Sequence, residues 1–109
     1  MANSFVNKKV DLTTTSATTL YTVPTATTSI IKSILVSEDS GNADTITLTI
    51  TDAESSPATF SLFKTKSISA NATAELLTVP LVLKTGEILK VTAATANRLH
   101  VVASILEIT

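Results

Sequence analysis

Cysteine and tryptophan are absent from this chain, histidine occurs once, and only two glycines and three prolines punctuate its 109 residues. Each shortage closes a class of function. Without cysteine there is no disulfide, no thiolate nucleophile and no cysteine-ligated zinc, and the redox compartment is left undetermined. With two glycines, Gly41 and Gly86, no glycine-rich phosphate cradle can be built, which argues against nucleotide chemistry. The single histidine, His100, excludes a multi-histidine metal cluster, and a Ser-His-Asp triad around it would need partners that the sequence does not signal. Eight bases against nine acids give a formal charge of -1, too weak a field to draw nucleic acid or an anionic membrane. No stretch approaches the ~20 apolar residues of a membrane span. The first nine residues, Met1 to Lys9, lack the apolar core of a signal peptide, so a soluble chain without a classical export signal is expected.

What the chain does have is alternation. From Asp44 to Asp52 apolar and hydroxyl residues follow one another without a break, the period-2 signature of a half-buried strand. Similar threonine-rich segments recur along the sequence, and turn residues divide it into about eight β-prone pieces near 4–13, 17–23, 29–37, 44–52, 58–68, 72–83, 87–93 and 98–108. No helical pattern separates them to carry parallel crossovers. The expected fold is all-β: one domain over 1–109, an antiparallel β-sandwich of jelly-roll or immunoglobulin-like type. Pro80 interrupts the segment 72–83 and lacks a ladder donor, which predicts an edge strand or a bulge there. Threonine faces supply β-branched stiffness and solubility without many charges, as suits a rigid structural module.

Two segments break the alternation. In 29–37 and 98–108 apolar residues point to both faces, so both faces should be covered. One cover is the opposite sheet; the other is either a neighbouring subunit or the chain's own loops and N-terminal segment. Leu99, Val101, Ala103 and Ile105 form an unbroken apolar row assigned to the core. The opposite row, His100, Val102, Ser104, Leu106 and Ile108, mixes polar with apolar residues, and its Val102, Leu106 and Ile108 are the candidate oligomer interface. A hydrophobic content of 44% with 16% charge is high for a small monomer and also points to protein partners.

Chemistry-bearing residues are sparse. Glu38, Asp39 and Asp44 are the only acids close enough in sequence for a calcium loop, because an extended strand holds the Asp44 and Asp52 ends roughly 25 Å apart. They lack EF-hand spacing and are read as solvated loop acids, with His100 as a strand-face histidine. Phe60 is read as core and Phe63 as facing the other way. The sequon Asn71-Ala72-Thr73 lacks an accompanying secretory signal and is read as chance. No catalytic residue, cofactor site, metal site or small-molecule substrate is predicted, and the chain is not expected to be an enzyme.

Read end to end, the order Thr19–Pro24, Ile30–Ser37, Thr45–Ile50, Leu62–Lys64, Ile68–Thr73, Pro80–Val91 and Val101–Ile108 resembles the small structural proteins of tailed-bacteriophage virions. The most specific piece is Pro80–Val91, an apolar run passing through Thr85-Gly86 into Glu87-Ile-Leu-Lys-Val. The resemblance implies a β-sandwich in the virion, assembled in the host cytoplasm, as a capsid decoration (cement) protein on the major capsid protein. A homotrimer is the favoured assembly. The alternatives are a tail, fibre or head–tail adaptor component and, from another class, a carbohydrate-binding module, whose mark would be a cluster of exposed aromatics.

Overall fold

The computed structural model describes residues 2–109; Met1, the first residue of the polar leading segment and of the 1–109 domain, lies outside them. Nine strands are described and no helix: β1 (Asn3–Asp11), β2 (Thr18–Thr22), β3 (Thr28–Glu38), β4 (Asp44–Thr51), β5 (Thr59–Ile68), β6 (Thr73–Glu75), β7 (Leu81–Leu83), β8 (Ile88–Ala93) and β9 (Leu99–Ile108). They form two sheets. The front sheet runs β1-β9-β3, with β6 and β7 sharing the outer edge of β3, and the back sheet runs β2-β8-β4-β5.

The pairing resolves the topology left open by the sequence. All ladders are antiparallel, and β1 pairs β9, β2 pairs β8, β3 pairs β6 and β7, and β4 pairs β5. These partners nest like one long hairpin, which is then rolled up so that β9 meets β3 and β8 meets β4. With β6 and β7 counted as one interrupted strand there are eight positions in two sheets, a jelly roll. The interruption sits where Pro80 precedes β7, on an edge, as its missing N–H requires. The gap is filled from within: the Glu75 carboxylate accepts the Ile34 N–H at 2.8 Å, and the Leu76 N–H donates to the Ile34 carbonyl at 2.9 Å.

Between the sheets the sequence periodicity becomes packing. Ile46 and Leu48 are fully buried while Thr45, Thr47 and Thr49 alternate on the other side. The row Leu99, Val101, Ala103 and Ile105 is buried as expected, opposite Val91, Leu89 and Ala93 of the back sheet. In β3 the alternation slips because a bulge at Lys32 lets both Ile31 and Ile34 point inward, three positions apart. Tyr21 crosses the core from β2 to the front sheet. Its hydroxyl is 2.6 Å from the Ser29 hydroxyl and donates to the Glu107 carboxylate at 2.6 Å. Burial first, and the Glu107 bond second, push its pKa up to about 12.

The sheet edges are blunted in four ways. Lys8 of β1 shares the side of Val6 and Val10, an inward charge on an edge strand. β2 is five residues long and bulged, and β7 is three residues long beside Pro80. β5 carries Lys64, Lys66 and register shifts at two places, with Thr65 in the left-handed region at φ 49°. At one pole of the sandwich the chain ends meet: the Thr109 N–H donates to the Ala2 carbonyl at 2.9 Å.

Candidate functional site: two apolar surfaces

Two surfaces stand out. The first is the outer face of the front sheet, where the ladder registers align Phe5, Leu106, Ile30 and Val82 in one row across four strands. Phe5 is 78% and Val82 59% exposed, and Leu106 and Ile30 are half-buried between them. Val102, Leu106 and Ile108 all lie on this face and are half-buried, next to exposed Leu35. The N-terminal strand does not cover the face: β1 extends the sheet sideways. Among the described residues, the N-terminal segment therefore leaves this face uncovered.

The second surface is the open side of the sandwich, between β5 and the β6–β7 break. A groove of about 230 Å³ there is lined by Leu62, Phe63, Leu77, Val79 and Leu81, with Leu76 at its floor. Val79 is 70% and Phe60 53% exposed. The assignment of Phe60 to the core is thus corrected, and so is the outward direction of Phe63, which packs against the core. The cause is the bulge at Leu62: Phe63 opposes inward-facing Leu48, and Phe60 opposes Ile50, so both rings fall on the inner side. Phe60 nonetheless remains uncovered, because the front sheet opposite it is only the interrupted edge. The two surfaces adjoin at β7, where Leu81 lines the groove and Val82 joins the outer row.

The acids have different duties from those the sequence suggested. Glu38 is buried, not solvated, and so is Asp44. Burial disfavours ionisation of Glu38, but the Ser40 hydroxyl and the backbone N–H groups of Asn71, Ser40 and Gly41 all donate to the carboxylate and outweigh it. The result is a pKa lowered to about 2. Asp44 accepts the Thr95 N–H at 3.1 Å, and Asp39 faces His100 instead. Glu38, Asp39 and Asp44 therefore do not converge, and no group of three His, Asp or Glu side chains able to share an ion occurs among the described residues.

His100 lies on the front face as expected, but between two carboxylates: Nε2 is 3.3 Å from Asp11 and Nδ1 3.5 Å from Asp39. Nothing local signals this pairing, since Asp11 reaches His100 only through the β1–β9 register. Asn71 of the sequon occupies a left-handed turn position at φ 57°, which asparagine tolerates well. The two exposed rings, Phe5 and Phe60, belong to different sheets and do not form an aromatic platform.

No family model matches the chain, and no curated protein matches it. Solved structures share its fold. A chain of the Bacillus endospore appendages, a family of disulfide-linked pili, aligns over 100% of this chain and 91% of its own length with TM-score 0.54 and 10% identity. A chain of infectious bursal disease virus, Gt strain, aligns over 98% of this chain and 30% of its own, with TM-score 0.51 and 11% identity. The third is the Clostridium thermocellum endo-1,4-β-D-xylanase 10B (CBM22-1 and GH10 modules with xylohexaose), over 96% of this chain and 24% of its own, with TM-score 0.51 and 11% identity. This chain thus spans less than a third of the viral and xylanase chains. At such identities the likeness is one of fold. The disulfide linkage of the pili has no counterpart in a chain without cysteine.

Proposed function

We propose that this chain is a non-enzymatic structural protein of a bacteriophage virion, a capsid decoration protein that binds the outer surface of the head and staples its subunits. The observation that carries this reading is the pair of adjoining apolar surfaces on a rigid jelly roll whose carboxylates are largely engaged by its own backbone. A staple needs at least two contact surfaces. The outer row through Val102, Leu106 and Ile108 joins copies of the chain, as a trimer, and the open side meets the major capsid protein. A module that binds only the assembled shell stabilises it by mass action.

Particles made without the protein should assemble but release their genome at lower temperature or under osmotic shock. Normal heads that lack tails or fail to adsorb would point instead to a tail, fibre or adaptor role. The carbohydrate-binding alternative loses ground because Phe5 and Phe60 stand apart; retention on a polysaccharide affinity gel would restore it.

A further inference from the structure

The first strand keeps a free edge whose chemistry can be read from its ladder. The Leu12 N–H donates to the Leu99 carbonyl and the Thr109 N–H to the Ala2 carbonyl, at the two ends of the uninterrupted β1–β9 register. Both are hydrogen-bonded pairs, and such pairs recur at every second residue of an antiparallel ladder. The even-numbered residues of β1 therefore turn their N–H and C=O groups toward β9, and Asn3, Phe5, Asn7, Lys9 and Asp11 turn theirs outward. β1 lies at the end of its sheet, and among the described residues no hydrogen bond engages those five N–H groups. The other edges are short, bulged or interrupted at Pro80. β1 instead runs nine residues without a register shift, a proline or a left-handed residue. Lys8 is its one guard, and it stands on the inner side.

We infer that this edge pairs with the same edge of a second copy, antiparallel about a dyad at Asn7, so that two front sheets become one. The inference rests on β1 alone and goes beyond the decoration reading. Outward groups can bond only to outward groups, so odd residues must oppose odd residues. Of those registers, only the one centred on Asn7 uses all five: Asn3 faces Asp11 of the second copy, Phe5 faces Lys9, and Asn7 faces its own counterpart. Lys8 then lies opposite Val6, where its stem covers the valine and its ammonium group reaches water. The register one step further would set Lys8 against Lys8 at the close spacing of a non-bonded pair. Phe5, 78% exposed in the single copy, gains a cation beside its ring. A foreign segment is the weaker occupant, because it must lose its freedom to become a strand, whereas β1 of a second copy is already held extended by its own β9. The contact is small against the roughly 1,600 Å² of a standard interface, so it opens at micromolar concentration and closes where copies are crowded on a common surface. It leaves the outer face of the sheet open, and so ties one outer-row oligomer to the next.

The test uses the intact chain, whose lack of cysteine makes single-cysteine cross-linking clean. Amide exchange at Phe5, Asn7 and Lys9 should slow several-fold between micromolar and millimolar samples, while Val6 and Lys8, already bonded to β9, change little. This alternation separates edge pairing from stacking of the outer face, which leaves the odd N–H groups free, and it should persist in Leu106→Asp. Asn7→Pro removes an N–H that β9 does not use, so it should keep the fold by circular dichroism and lose the concentration dependence. Opposed residues of a hydrogen-bonded pair lie about 5.5 Å apart, within disulfide reach. Phe5→Cys should therefore cross-link with Lys9→Cys but not with itself, since the two Phe5 positions lie roughly 13 Å apart in this register. Exchange that ignores concentration, protection that survives Asn7→Pro, or Phe5→Cys joining itself as readily as Lys9→Cys would overturn the inference. So would equal protection by a capped foreign peptide, Thr-Val-Thr-Val-Thr-Val-Thr, at the same concentration, which would assign the edge to any extended segment.

Discussion

At the scale of single residues, the carboxylates of this chain act as parts of the backbone's hydrogen-bonding system. Glu38 shows the consequence for stability. Its pKa is about 2 in the folded chain against 4.5 for a free carboxyl, so its contribution is fully present above pH 4.5 and is lost as the pH falls toward 2. Thermal melts between pH 5 and pH 2 should show a decline that is blunted in Glu38→Gln. Tyr21 works in the opposite direction: its raised pKa makes its contribution present below pH 10 and lost as the pH climbs toward 12. Tyr21→Phe leaves the Ser29 hydroxyl and the Glu107 carboxylate without their partner and should cost about 1–3 kcal/mol in chemical denaturation. Neither role was legible in the sequence. The donors to Glu38 include the Asn71 N–H, 33 positions away, and Glu107 lies 86 positions from Tyr21. Nothing local marks such contacts, so acids in a loop look solvated.

At the scale of elements, legibility followed regularity. β4 alternates cleanly and was predicted almost to its ends, and the inward row of β9 was assigned in full. Bulges account for most of the failures, because one extra residue flips every side chain beyond it. That is why Phe63 was placed on the wrong side, and why β3 looked two-sided through Ile30, Ile31, Ile34, Leu35 and Val36; Phe60 has the expected direction but no sheet to cover it. The two faces of β9 give a direct check. Val101→Asp puts an unpaired carboxylate at a fully buried position and should cost several kcal/mol, comparable with the whole stability of a small domain, so the chain should be unfolded by circular dichroism. Leu106→Asp, on the half-buried outer row, should remain folded and by light scattering shift to the monomer. A wild type that is itself monomeric at working concentration would remove the outer row from the interface. Glu75→Ala should fray the β6–β7 edge, since the Ile34 and Leu77 N–H groups both donate to that carboxylate. Faster amide exchange at those two positions is the expected readout.

At the scale of the whole molecule, the order of pairing could not be read from strand segments alone. About eight alternating strands fit a jelly roll and an immunoglobulin-like sandwich equally well, and only the nesting of β1 with β9 and β2 with β8 separates them. Pairing the first strand with the last demands closure of nearly the full chain, so refolding should be slow for this size, on the order of milliseconds to seconds in stopped-flow experiments. The same closure has a topological reading. With Ala2 and Thr109 hydrogen-bonded side by side, the polypeptide is close to a ring cut at one point, and the position of the cut is nearly arbitrary for the fold. A circular permutant that joins residues 109 and 2 by a short linker and opens in the exposed loop at 53–58 should adopt the same structure. By the same geometry, cargo fused at either end would emerge from a single pole, beside Phe5 and Ile108 at the margin of the outer row.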